Sequence, residues 1–250
     1  MLRSIHGVVA RPSFITSTNM ITYWDIQNTA SYSGTGTTIN DLDSTNPGLI
    51  VGSVPYTSGA TRYLSLDSGT SNYVRTTVNL NGSLSPVNTG TSISIFVWVY
   101  PTSNGVILSE QGTTTPDTSW YDSQIEWVSG TPRMGVWAGG LVTVTSSVAA
   151  ALNAWHYVGF SYDGTTVRAY VNGQSAGSVN ASRQTPYNNN SGAGLYYALG
   201  YPTATNMGSG VGSNFRLGAL HIWNTGISAA TVLSNYQSTK SPYGLSLIHI

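Results

Sequence analysis

The sequence predicts an all-β protein, a two-sheet antiparallel β-sandwich of jelly-roll type with one short helix near the C-terminus. Three observations predict it. Apolar residues recur at every second position in one segment after another, the period at which side chains leave one face of a strand. Gly, Asn, Asp and Pro separate these segments at short intervals, as they do between the strands of a sandwich. A 3.6-residue apolar period appears in one segment only, near residue 230.

The elements follow in chain order. Segments 20–26, 62–67 and 72–79 read as strands. In SISIFVWVYP (92–101), Ile93, Ile95, Val97 and Val99 share one face, and Phe96, Trp98 and Tyr100 the other. Such a strand is either central in a sheet covered on both sides or has a second face that forms an aromatic groove. Segments 105–110, 124–128, 133–138 and 141–145 are further candidates. WHYVGFSYDGTTVRAYVNG (155–173) then encodes a meander. Val158, Phe160 and Tyr162 form one apolar row, Asp163-Gly164 supplies a turn, and Val167, Ala169 and Val171 form the next row. Asn172-Gly173 is a strong hairpin signal, because both residues tolerate positive φ. Ala176 and Val179 mark a third strand, and 195–200 and 215–224 complete the set. In the helix, Ser228 is placed to cap AATVLSNYQ. Ala229, Val232, Leu233 and Tyr236 lie on one face, and Ile227 is placed to staple onto Val232.

The chain of 250 residues suits one domain, with an N-terminal arm (1–14), a domain (15–240) and a C-terminal tail (241–250). Both ends are expected to dock onto neighbouring molecules. Charged residues are only 7% of the chain and net charge is zero, so little repulsion opposes packing beside other copies. The nine Lys and Arg are scattered singly, which argues against nucleic acid, where clustered cations release counterions. No apolar run approaches the roughly 20 residues that span a bilayer, and Arg11 interrupts the apolar patch that a signal peptide would need. Cysteine is absent, which excludes disulfides and thiolate metal sites.

WHYVGFSYDGTTVRAYVNGQSAG resembles the most recognisable segment of laminin-G-like jelly rolls in the concanavalin A-like lectin/glucanase superfamily. SISIFVWVYPTSNGVILSEQG is similar to the family's early core strand, and FRLGALHIWNTGISAATVLSNYQ to its closing strand and helix. WDIQNTASYSGTGTTINDLDSTNPGLIVGS is similar to an opening found in such domains of tailed-phage virion proteins. The resemblance covers about residues 15–240 and implies the fold, which hosts lectins, hydrolases and structural modules alike.

Catalysis finds little support. Glucanase relatives use Glu-x-Asp-x-x-Glu on one strand, and neither Glu110 nor Glu126 sits in that pattern. Asp122 and Glu126, on a regular strand, would share a face at roughly 13 Å, beyond the spacing of retaining or inverting carboxyl pairs. His6, His156, His221 and His249 show no metal-like spacing, and no metal site is expected. Asp41 and Asp43 in NDLDSTN offer oxygen ligands for calcium, which many relatives bind, but serve equally as turn residues. Trp98, Trp155 and Trp223 sit in apolar strands and are expected in the core. The candidate contact residues are Trp120, Tyr121, Trp127, Trp137, Tyr187, Tyr196 and Tyr201, whose rings suit protein partners first and sugar C–H faces second. The expectation is a non-enzymatic virion structural protein, capsid-decorating or tail-associated, with a carbohydrate-binding surface. It would be made in the host cytoplasm and packed against other virion proteins and copies of itself, needing no cofactor and contacting neither nucleic acid nor membrane. The alternatives are a lectin-type adhesin for polysaccharide and, behind it, a glycoside hydrolase.

Overall fold

The computed structural model describes residues 15–43, 46–80, 92–185 and 193–245. Its strands are β1 (Met20–Asp25), β2 (Thr38–Ile39), β3 (Gly48–Val51), β4 (Tyr56–Thr57), β5 (Tyr63–Leu66), β6 (Tyr73–Thr76), β7 (Ile93–Pro101), β8 (Gly105–Gln111), β9 (Tyr121–Val128), β10 (Thr131–Trp137), β11 (Leu141–Thr145), β12 (His156–Tyr162), β13 (Thr166–Val171), β14 (Gln174–Asn180), β15 (Tyr196–Leu199) and β16 (Phe215–Trp223). An α-helix, α1 (Ala229–Thr239), follows.

The strands form two antiparallel sheets. The first runs β14-β13-β12-β7-β16-β5-β4, with β1 also paired to β16. The second runs β11-β10-β9-β8-β15-β6-β3-β2. Strand β16 is long enough to hold two neighbours end to end, Phe215–Leu217 on β5 and Ala219–Trp223 on β1. Hairpin chemistry fixes the register where the sequence placed it. Asn172 and Gly173 take φ of 52° and 80°, and the Asp163 carboxylate accepts from the amides of Thr165 and Thr166, each at 2.9 Å.

The main core lies between the sheets. Ile95, Val97, Val158, Phe160, Leu220 and Ile222 of the first sheet belong to one buried cluster with Ile125, Trp127, Met134, Val136 and Leu199 of the second. A second cluster lies on the outer face of the first sheet, where Phe96, Trp98, Tyr157 and Trp223 pack under Ile227, Val232 and Tyr243. Of the two options left for β7, this face is thus covered rather than an open groove. Trp98 stacks on Tyr243 with ring centroids 4.1 Å apart, and its indole N–H donates to Thr239 Oγ1 at 2.9 Å.

Helix α1 begins at Ser228, whose hydroxyl accepts from the Thr231 amide at 3.2 Å. Its buried residues are Val232 and Asn235, whereas Leu233 is 41% exposed; the helix is rotated away from the face expected for it. Residues 241–243 make a 3-10 turn that carries Tyr243 into the second cluster. The segment from 241 to 245 therefore packs with the domain instead of trailing from it. Arm residues 1–14 and tail residues 246–250 lie outside the described residues.

Candidate functional site

The outer face of the second sheet is partly roofed by the loop 201–214. The Ser123 amide donates to Thr205 O (2.9 Å), and Val106 N donates to Val211 O (2.9 Å). Glu126 accepts from the amides of Met207 (2.5 Å) and Ser209 (3.1 Å), while Arg133 Nη1 donates to Met207 O at 2.9 Å. Glu126 is a loop anchor. Glycine at 135 permits this approach, since a Cβ there would stand 3.0 Å from Met207 Sδ and 2.8 Å from Val142 O.

Rings occupy the part left open. Tyr121, Gln111 and Tyr196 are direct register partners across β9, β8 and β15, and both tyrosines are half-buried. Gln111 is held in place, donating to Ser109 Oγ at 2.8 Å and accepting from the Asp117 amide at 3.0 Å. Trp120, half-buried, donates its indole N–H to Asp122 Oδ1 at 2.8 Å and meets Trp137 edge-on at 5.8 Å. The indole N–H of Trp137 has no partner among the described residues. Tyr201 stands edge-on to Tyr73 of β6 at 5.3 Å. Asp117 ties the loop 112–120 to the roof, accepting from Thr203 Oγ1 (2.6 Å) and the Ala204 amide (3.0 Å).

Tyr121, Tyr196 and Tyr201 lie half-buried on this face, while Trp120 and Trp137, also half-buried, meet where β9 begins and β10 ends, the Trp120 indole N–H turned to Asp122. Trp127 does not belong with them. It is fully buried in the inter-sheet core, its indole N–H bonded to Ala150 O at 3.0 Å, because β9 directs alternate residues inward and 127 falls on the inward side. Tyr187 lies outside the described residues. Trp98 and Trp223 are buried, but Trp155 is half-buried at the margin of the first sheet.

Beneath the ring-bearing face lies a charged network that sequence periodicity does not show. Two register shifts between β8 and β9 set Ile107 and Gln124 as extra residues, which reverses the alternation. Asp122 therefore joins the inner network, whereas Glu126 meets the roof outside; the two do not share a face as a regular strand would require. Glu110 pairs directly with Asp122 on β9 and with Tyr197 on β15. Its carboxylate bonds the Arg183 guanidinium and accepts from the Tyr197 hydroxyl at 3.0 Å. Both members of the ion pair are fully buried.

Burial, reinforced by the neighbouring Glu110 carboxylate, holds the Asp122 pKa well above the usual carboxylate range. Asp122 Oδ2 also accepts from Gln124 Nε2 at 2.6 Å. Burial opposes the charge on Arg183, and the Glu110 carboxylate overrides it, so the guanidinium titrates even higher than usual. Nothing in the period or spacing of ASRQTP (181–186) announces Arg183. Its rarity as a charge in this chain is the one available signal.

Chemically, Glu110 Oε2 and the Asp122 and Glu126 carboxyls accept from protein donors. Glu110 and Asp122 face the interior and Glu126 holds a loop, an arrangement without the opposed, accessible pair that glycoside displacement requires. His156 is a hydrogen-bonded strand residue, its Nε2 in contact with Ala151 O (2.9 Å) and its Nδ1 with Asn172 Nδ2 (3.2 Å). Asp41 Oδ1 accepts from the amides of Tyr23 (3.1 Å) and Asp43 (3.0 Å), which is turn chemistry. No group of three or more His, Cys, Asp or Glu is placed to hold a metal among the described residues.

A family model described as the concanavalin A-like lectin/glucanases superfamily matches residues 68–233. The chain belongs to this superfamily. No curated protein sequence matches it. Among solved structures, the concanavalin A-like domain is similar to the binding domain of botulinum neurotoxin DC in complex with SialylT, with a TM-score of 0.62 and 14% identity over 89% of this chain and 52% of that one. It is similar to the binding domain of Paraclostridial Mosquitocidal Protein 1, with a TM-score of 0.60 and 15% identity over 89% and 52%. The chain spans about half the length of both. Domain 4 of an extracellular arabinanase from Geobacillus stearothermophilus, in complex with arabinotriose, matches at a TM-score of 0.61 and 15% identity, over 87% of this chain and 98% of that domain. These likenesses are of fold.

Proposed function

We propose that this concanavalin A-like domain is a non-catalytic glycan-binding module. The observation that carries the reading is a set of half-buried rings at the second sheet, Tyr121 and Tyr196 on either side of Gln111 and Trp120 against Trp137 where β9 begins and β10 ends. Nearby carboxylates are engaged by protein donors, which suits recognition of neutral sugars through stacking and hydroxyl contacts rather than their cleavage. The binding-domain neighbours, one in complex with arabinotriose, support it by analogy of fold. A glycan array of neutral oligosaccharides, followed by calorimetric titration of the best hit, tests it. Trp137→Ala is expected to weaken binding about tenfold or more, equal to about 1.4 kcal/mol, with the thermal midpoint preserved. An array without a hit, or a hit indifferent to Trp137→Ala and Tyr196→Ala, overturns it.

We further propose that the module is carried on a tailed-phage virion as a capsid-decorating or tail-associated subunit. A chain with 7% charged residues and zero net charge supports close packing, as does the phage-like opening sequence. Mass spectrometry of purified particles is expected to find the chain in stoichiometric copies, and its absence overturns this placement.

A further inference from the structure

The described residues contain six arginines, and five of them are tied to protein acceptors. Arg62 donates to Gln27 O, Arg75 to Thr76 O and Arg133 to Met207 O, while Arg168 and Arg183 pair with Asp163 and Glu110. Arg216 is the exception. It lies mid-sheet on β16, in register with Tyr100 of β7 and Ser65 of β5. Its guanidinium sits over two rings, 4.3 Å from the Tyr100 centroid and 4.8 Å from that of Tyr63. Trp155 braces both tyrosines edge-on, at 5.7 and 6.1 Å. All four side chains are half-buried, and the guanidinium has no hydrogen-bond acceptor among the described residues.

A guanidinium held this way is pre-organised. Two ring faces fix its position by cation–π attraction, so little rotamer freedom remains to be lost when its donors are used. Its N–H groups have no protein acceptor among the described residues, and a planar fork of donors matches one carboxylate bidentately. The flanking rings supply flat apolar surface of the kind that pyranose C–H faces cover, and the tyrosine hydroxyls supply donors and acceptors. One cation, rather than a cluster, fits a single carboxylate better than a polyanion.

We propose that Arg216, with Tyr63, Tyr100 and Trp155, forms a binding site for a carboxylated sugar, a uronic or sialic acid residue of an acidic glycan. The site lies on the outer face of the first sheet, opposite the ring-bearing face of the second, and stands independently of the function proposed for that face.

Calorimetric titration of the full chain with oligogalacturonate, oligomannuronate, hyaluronan oligosaccharides and sialyllactose tests the site, with carboxyl-reduced oligomers as matched neutral controls. At least one acidic probe is expected to bind ten times more tightly than its neutral counterpart. Arg216→Gln is expected to abolish that preference and Arg216→Lys to recover only part of it, since lysine keeps the charge but loses the fork. Folding of each variant is checked by near-ultraviolet circular dichroism. The site is overturned if no carboxylated probe outbinds its control, if Arg216→Gln retains the preference in a folded protein, or if only sulfated oligosaccharides or acidic peptides bind.

Discussion

At the scale of the residue, identical side chains take opposite roles by position. Trp127 and Trp137 lie on adjacent strands, yet one fills the core and the other stands half-exposed beside Trp120. Composition flags both, and only the facing of each strand separates them. The buried Glu110–Arg183 pair was less legible still, because a sequence shows charge and not burial. Its energetics are nonetheless definite. Removing one partner strands the other charge in a dry interior, which costs more than the pair itself contributes. Arg183→Met is expected to lower stability by about 3–5 kcal/mol, and adding Glu110→Gln is expected to recover a large part of the loss. Urea denaturation of both variants checks this; a double variant no more stable than Arg183→Met would refute the account.

At the scale of the element, alternation located the long strands and turn residues located their ends. The segments marked at 105–110, 133–138 and 215–224 are β8, β10 and β16 within a residue or two. Strands β2 and β4, of two residues each, are too short to show a period, and β3 is only four residues. The irregularity of β8 and β9 was illegible for a different reason. A bulge reverses facing through backbone geometry and leaves no mark in the apolar pattern, so Asp122 and Glu126 parted unexpectedly. The helix start, by contrast, is local chemistry and reads directly from Ser228. Ser228→Ala removes the acceptor for the Thr231 amide and is expected to cost about 1 kcal/mol. Chemical denaturation measures the change, which Ser228→Asp should largely restore through its own carboxylate cap.

At the scale of the whole molecule, two buried groups set opposing responses to pH. His221 is enclosed by Tyr23, Tyr157 and Trp223, with Nδ1 3.1 Å from the Tyr157 hydroxyl. Burial lowers its pKa to about 3, against about 6.5 for an exposed histidine. Between those values the unfolded chain binds the extra proton, so His221 makes stability fall as pH drops below about 6.5, by roughly 1.4 kcal/mol per unit. Burial lowers the His156 pKa as well, which acts in the same sense. Asp122 acts in the other sense. Its folded pKa is raised by burial and by Glu110, so the folded state keeps a proton that the unfolded state releases above the ordinary carboxylate range. Its contribution is present at low pH and lost as pH rises toward the folded value. From about pH 4 upward the two effects oppose one another, which predicts a shallower dependence for the intact protein than either group alone would give. Asp122→Asn is expected to steepen the loss of stability on acidification, while His221→Phe is expected to make stability decline as pH rises across the same interval. Denaturation midpoints measured from pH 4 to 7 for the three proteins decide it, and parallel curves would show that neither group governs the acid response.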